Sequence, residues 1–270
     1  MSYCGSYSDI VVDTPAEHVR RVTLSRPDRA NAISKRMLAE LLDAVEELAA
    51  DDSVHVWLLR GTPRHDGRAW FSAGADMKEA LSPPAEASVD GAEVCDRIDT
   101  LLKPSIAVLG GVCTTGALEL ALACDLRVAG HSAVLSDYHL LRSGLGIGAW
   151  GLAPRLSRLV GTDKAKELLL LSMEVPAQEA QRIGLVNRVV DDDALDTECL
   201  DIAKRIASMP RRGVRATLGF LQEQADLGVH DAQALARRFP ELMGIRLRPF
   251  SDAAGRFYTE RPEQAPSADR

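Results

Sequence analysis

KPSIAVLGGVCTTGALELALACD, residues 103–125, holds a strand, a turn of small residues and a helix in immediate succession. Ile106 to Leu109 is a short apolar run after Pro104, the pattern of a buried strand. Gly110 and Gly111 break it, Cys113-Thr114-Thr115-Gly116 forms a small-residue turn, and Ala117 to Cys124 reads as helix. The first N–H groups of a helix lack intrahelical partners and carry a partial positive charge. Small residues at that point let another group approach the backbone closely. Glu119 stands one turn inside this otherwise apolar helix. A lone carboxylate there is costly unless it is paired, protonated or chemically employed, so the stretch is the predicted active site.

The flanking sequence alternates strands and helices. Ile10 to Val12 and Val19 to Leu24 read as strands joined by a turn at Thr14-Pro15-Ala16-Glu17. From Ser34, Met37, Leu38, Leu41, Leu42, Val45 and Leu48 recur at spacings of three and four, one apolar stripe of a helix. Val54 to Leu59 and Leu126 to Ala129 are further strands. Phe71-Ser72-Ala73-Gly74-Ala75-Asp76 is a second small-residue turn, and the acidic, Ala-rich segment with Pro83-Pro84 after it is a candidate mobile loop. Leu185 to Val190 is a strand, and beyond Leu195 the pattern is almost wholly helical, with breaks at Pro210 and near Gly228. The expected organisation is an α/β core over residues 1–195 and a helical region over 196–270 that serves assembly or closes the pocket.

Composition narrows the function. The chain has 270 residues, is 46% hydrophobic and 26% charged, and carries a net charge of −7. An acidic protein of this kind is not a general nucleic-acid binder. No apolar run approaches the roughly 20 residues of a membrane span, and the first twenty residues lack the charged-then-apolar pattern expected of a secretory leader. Five scattered cysteines without a CxxC pair point to a reduced, cytoplasmic setting and supply no metal site; Cys113 and Cys124 read as packing residues. GLGIGAWG, residues 144–151, is rich in glycine, but it lacks a preceding strand and a following acidic residue and makes a poor dinucleotide-binding turn.

The turns at Ser72–Asp76 and Thr115–Ala117 each follow an apolar strand and lead toward a helix. If their N–H groups converge, they form an oxyanion hole. Together with Arg26-Pro27-Asp28-Arg29-Ala30-Asn31, Met77-Lys78-Glu79 and the run from Lys103 to Asp125, they resemble the enoyl-CoA hydratase/isomerase (crotonase) superfamily. The resemblance spans about Ile10 to Pro262. It implies a spiral α/β core of ββα repeats, assembly as a homotrimer or a dimer of trimers, and a coenzyme A thioester as substrate with no other cofactor. By motif position the oxyanion donors would be the N–H groups of Ala73 and Gly116. Glu119 matches the first of the two catalytic glutamates of the hydratases. Ala75, Asp76, Thr115, Trp150 and Arg29 are expected along the substrate site, with Arg26 and Arg29 near the coenzyme. Trp150 and Tyr138 would narrow the acyl pocket, or serve in core packing. Phe250 and Phe257-Tyr258 would belong to a pocket-closing helix.

The pattern breaks at the second glutamate. About twenty residues past Glu119, where the hydratases carry Pro-Glu, stands Tyr138-His139, and no glutamate occurs between Glu119 and Glu167. Hydration needs one group to activate water and another to protonate the α-carbon. Glu119 would do both, or share the work with His139, Tyr138 or Asp137. A histidine suits either role at neutral pH, and Asp137 could orient it if the backbone turns between them. Hydration is therefore the leading expectation. C–C bond hydrolysis, isomerisation and decarboxylation are alternatives, as is a silent acyl-CoA-binding subunit.

Overall fold

A computed structural model describes residues 7–80 and 89–245. Ile10–Ala16 (β1) and Val19–Leu24 (β2) pair antiparallel, so Thr14 to Ala16 extend the strand and the turn falls later, at Glu17-His18. Lys35–Ala50 (α1) starts where Ser34 accepts a hydrogen bond from the Met37 N–H at 2.9 Å, an N-cap that stabilises a helix by about 1 kcal/mol. Of its predicted stripe, Met37, Leu38, Leu41, Val45 and Leu48 are buried and Leu42 is half-buried at the edge of the core.

Next come Val56–Gly61 (β3), Met77–Ala80 (α2), Gly91–Thr100 (α3), Ser105–Leu109 (β4), Val112–Thr114 (β5) and Gly116–Ala123 (α4). Leu126–Gly130 (β6), Val134–Ser136 (β7), His139–Ser143 (α5), Leu152–Val160 (α6) and Thr162–Leu171 (α7) follow. The described chain then passes through Glu174–Pro176 (β8), Ala177–Arg182 (α8), Arg188–Val190 (β9), Leu195–Ala207 (α9), Arg211–Glu223 (α10) and Val229–Leu242 (α11).

Six strands form one sheet in the order β1-β2-β3-β4-β6-β9, parallel except for the first pair. A second sheet holds β5-β7-β8, with β5 parallel to β7 and β8 antiparallel to it. Ser72 adds an isolated bridge to Cys113 of β5. Each repeat gives one strand to the large sheet, a short one to the small sheet, and then a helix: β4-β5-α4, then β6-β7-α5. This is the ββα spiral. The sequence pattern predicts a turn at Cys113-Thr114, whereas these residues belong to β5; a three-residue strand is too short to show a period of two.

Residues of β4 are buried on both faces, which accounts for the unbroken apolar run at Ile106 to Leu109. On one face Ala107 and Leu109 join a core with residues of α1, α3 and α4. On the other, Ile106 and Val108 pack with Leu195, Cys199 and Ala203 of α9. Buried Arg127 donates to the carbonyls of Cys124 at 2.6 Å and Leu185 at 2.9 Å, satisfying the end of α4 and tying it to the β9 connection.

The chain divides into two compact units, residues 1–214 and 215–270, so α9 falls within the first rather than opening a second region at 196. Its apolar face covers the large sheet, which gives it the core's packing. In the second unit Phe220 and Phe239 meet edge to face at 5.5 Å. Among the described residues no helix is long and apolar enough to cross a membrane. Pro83-Pro84 and Phe250, Phe257 and Tyr258 lie outside the described residues.

Candidate active site

Both small-residue turns come to the same place. A β-carbon added to Gly74 would lie 2.7 Å from the Thr114 carbonyl and 3.4 Å from the Gly116 nitrogen, and Gly74 has φ of +85°. Only glycine fits such a close approach in that conformation. Ahead of Gly116, Thr115 holds φ of 57° and ψ of −117°, an unusual backbone for a residue with a side chain. Its N–H donates to Ser136 of β7 at 3.0 Å. Strain of this kind persists only where the surroundings fix it, here at the start of α4.

The donor assignment on the first turn changes. The Ala73 N–H donates to the Ala30 carbonyl at 3.0 Å and is spent on holding the turn to the preceding loop. Neither Ala75 nor Gly116 gives its N–H to a carbonyl among the described residues, and Ala75 is exposed. Ala75, expected only as a substrate contact, is therefore the available donor beside Gly116. Buried Asn31 sets this arrangement. Its amide donates to the carbonyls of Thr62 at 2.8 Å and Phe71 at 3.1 Å, pinning the loop that ends in the first turn.

Glu119 is 1% exposed. Its Oε1 accepts the N–H groups of Trp150 at 2.7 Å and Leu152 at 3.2 Å. Its Oε2 faces His139 Nε2 at 3.7 Å. The other ring nitrogen, Nδ1, lies 2.6 Å from Asp137 Oδ1, and Asp137 Oδ2 also accepts the His139 N–H at 3.2 Å. The backbone does turn between them: β7 ends at Ser136, α5 begins at His139, and Tyr138 makes the corner. An ionised Asp137 can only accept, so Nδ1 carries a proton and Nε2 is presented to Glu119. Burial pushes the Glu119 carboxyl above its ordinary range, against the lowering effect of the Trp150 hydrogen bond and the His139 charge. The bond to Asp137 raises His139 above its ordinary value, outweighing partial burial, and the Asp137 and Glu119 charges add to it.

Within residues 144–151, Gly148 belongs to this site. A β-carbon on Gly148 would stand 2.4 Å from Glu119 Oε1, and its φ is +70°. The loop folds onto the carboxylate and delivers the two donors that follow it. Arg155 fixes it there, donating to the Trp150 carbonyl at 2.7 Å while gripping Asp96 at 2.7 Å and Asp99 at 3.1 Å on α3. None of this was assigned from the sequence, although the glycine density marked it. Gly148→Ala is expected to displace the carboxylate and lower kcat by at least about 10-fold, the scale of small misplacements at a reacting centre. A steady-state assay of the variant with unchanged kcat would contradict that placement.

Tyr138 does not join the pair. Its hydroxyl donates to Glu174 Oε1 at 2.6 Å, and that bond raises its pKa, so the phenol is a structural link between β7 and β8 and no acid/base group. Its ring lines a cavity of about 460 Å³ with Ala73, Ala75, Asp76, Thr114, Arg29, Lys78 and Arg142. Arg26 is committed elsewhere, to Asp76 at 3.0 Å and to the Ala32 carbonyl at 2.6 Å. Arg29, Lys78 and Arg142 thus leave three cationic side chains around a cavity that opens beside the first turn. A larger cavity of about 520 Å³ at the ends of β3 and β4 contains neither turn nor carboxylate, and its Arg60 is paired with Asp196 at 2.5 Å. The Cys124 thiol, pushed up to about 12 by burial, is an inert packing group. Among the described residues no cluster of three His, Cys, Asp or Glu side chains could hold a metal ion.

Two sheets filled in turn by ββα repeats, with a buried carboxylate one turn inside the central helix, define the crotonase-like class of α/β proteins. Residues 14–239 match the family model for enoyl-CoA hydratase/isomerase, and the chain belongs to that family. It is 33% identical over 235 residues to the crotonyl-CoA hydratase of Syntrophomonas wolfei, covering 85% of this chain and 87% of that one. An enoyl-CoA hydratase from Bacillus anthracis superposes with a TM-score of 0.83 at 28% identity, over 94% of this chain and 97% of that one. A monofunctional enoyl-CoA isomerase from M. smegmatis gives a TM-score of 0.70 at 33% identity, over 83% and 98% of the two chains.

Proposed function

We propose that this acyl-CoA enzyme adds water across the α,β double bond of an enoyl-CoA, with Glu119 and His139 as the acid/base pair and Ala75 and Gly116 as the oxyanion donors. The observation that carries the proposal is the line Asp137–His139–Glu119, in which the imidazole faces the carboxylate and supports the reading that it takes the part of a second acid/base group. The 3.7 Å between Nε2 and Oε2 lets one water, or one reacting carbon, touch both groups at ordinary hydrogen-bond distances.

The thioester oxygen sits at the two N–H groups, which stabilise the negative charge that develops on it as the enolate forms. The Glu119 carboxylate takes a proton from water, and the water oxygen bonds to the β-carbon. The π electrons of the double bond shift toward the thioester oxygen, and the imidazolium of His139 then gives its Nε2 proton to the α-carbon. The product has gained one water. The pair is left as carboxylic acid and neutral imidazole, and a proton passing from Oε2 to Nε2 restores it. Asp137 is a positioning residue: it holds the ring and favours its charged form. Arg29, Lys78 and Arg142 supply the charge that a coenzyme A phosphate requires, and Asp76 keeps Arg26 in the turn.

Incubation with crotonyl-CoA, followed by the loss of the conjugated thioester absorbance and by product mass, tests this. A product one water heavier supports it. The second reading is isomerisation, favoured by the single shared proton of the pair and by likeness to the M. smegmatis isomerase. It predicts a product of unchanged mass; loss of carbon dioxide or cleavage of the acyl chain would point to the decarboxylase or C–C hydrolase chemistries. Binding without turnover of any ester would leave only an acyl-CoA-binding subunit.

Assembly as a homotrimer or a dimer of trimers is part of the same proposal. Leu141, Leu145, Ile147, Leu170 and Leu171 are exposed along α5 to α7, beside an apolar groove of about 540 Å³. Exposed apolar surface of that extent marks an interaction face. Light scattering showing a monomer at micromolar concentration would remove this element.

A further inference from the structure

We propose that the Trp150 indole is the end wall of the acyl pocket and restricts the enzyme to short acyl chains, an inference that rests on the acyl-CoA reading above. Gly116 and Glu119 are three residues apart on α4 and therefore share one face of the helix. A thioester whose oxygen lies at the Gly116 N–H and whose reacting carbons lie at Glu119 runs along that face.

Trp150 covers the same face. A β-carbon added to Gly116 would meet the indole at 2.6 Å from Cζ3, 3.0 Å from Cη2 and 3.2 Å from Cε3. The other edge of the ring rests on α3, where a β-carbon on Gly91 would fall 2.0 Å from Cε2 and 2.2 Å from Cδ2. The indole is thus seated between the starts of two helices, on two residues that have no side chain. Any larger residue at either position would expel it.

The wall is stiff. The Trp150 N–H is held by Glu119 at 2.7 Å and its carbonyl by Arg155 at 2.7 Å, with Arg155 anchored to Asp96 and Asp99 of α3. A side chain tied at its backbone and flanked by two helices cannot swing aside as a mobile loop would. The indole fills the space between the starts of α3 and α4, so acyl carbons that continue along this face beyond the β-carbon run into it. On this reading crotonyl- or butyryl-sized groups end in front of the ring, and long chains collide with it.

The test measures binding of butyryl-CoA and decanoyl-CoA by calorimetry to the full chain, to Trp150→Phe and to Trp150→Ala. The wild type is expected to bind butyryl-CoA at least about 10-fold more tightly than decanoyl-CoA, since even one methylene in a filled pocket is discriminated by about 10- to 200-fold. Trp150→Ala is expected to shift that ratio by at least about 10-fold toward decanoyl-CoA, with Trp150→Phe between the two. A ratio of two ligands on one sample does not depend on the folded fraction, so lost stability in the Ala variant cannot imitate the result. The same ratio in all three proteins overturns the wall while leaving the acyl-CoA reading intact. Failure of the wild type to bind either ester overturns both.

Discussion

Glu119→Gln lowers kcat by roughly 10²- to 10⁴-fold, the contribution of a positioned acid/base group, with little change in KM. The amide oxygen of glutamine can still accept the N–H groups of Trp150 and Leu152, so the loop and the start of α4 keep their positions. What disappears is the ability to take a proton. The alternative view of Glu119, a buried acid that merely holds a loop, predicts the opposite pattern. Stability separates the two. Burial raises the Glu119 pKa in the folded state above its unfolded value. A carboxyl with a raised pKa favours folding below the unfolded value, and that benefit is lost as pH rises through the folded one. Above the folded pKa the ionised side chain is thus a burden on stability, and removing its charge leaves Tm equal or higher. Near pH 4, where the carboxyl is protonated in the folded protein, the difference shrinks. A variant that keeps its kcat, or one that loses activity only in step with Tm, would sink the catalytic role.

Asp137→Asn has the second large effect, and its signature is a shift in pH dependence. The hydrogen bond to Asp137 is the largest cause of the raised His139 pKa, and an asparagine has no charge to give. In the proposed mechanism the imidazolium donates a proton, so activity falls as pH rises through the His139 pKa. Without Asp137 that fall moves to lower pH, and at a pH above both midpoints the loss reaches roughly 10-fold for each unit of displacement. If His139 worked instead as a neutral base, activity would rise with pH through the same pKa, and the variant would gain activity at low pH. The pH profiles of kcat for wild type and variant decide between these. Identical profiles would deny Asp137 any influence on His139.

Much of the site could be read without coordinates because it depends on local pattern. The strand at Ile106 to Leu109, the helix carrying Glu119, and the glycine turn at Gly74 each declare themselves within a few residues. The lack of any glutamate between Glu119 and Glu167 is equally legible, since it is a matter of composition. The Glu119 helix was identified because a single charge in an apolar helix violates the ordinary sorting of side chains.

Tertiary structure decided what long-range partners decide. Ala73 and Ala75 are indistinguishable as letters in a small-residue turn. Only the carbonyl of Ala30, brought in from the preceding loop, consumes one N–H and leaves the other available. Tyr138 looked as able as His139 to serve Glu119, until the pairing of β7 with β8 set Glu174 against its hydroxyl. Gly148 carried no assignable purpose in the sequence, because its reason is a carboxylate on another helix that leaves no room for a β-carbon. The sequence by itself determined the α/β repeat and the lone carboxylate in an apolar helix, since periodicity and residue chemistry are local properties of a chain. Which N–H groups stay unpaired, and which of the neighbouring side chains meets Glu119, are set by contacts between segments far apart, and those exist only once the chain has folded.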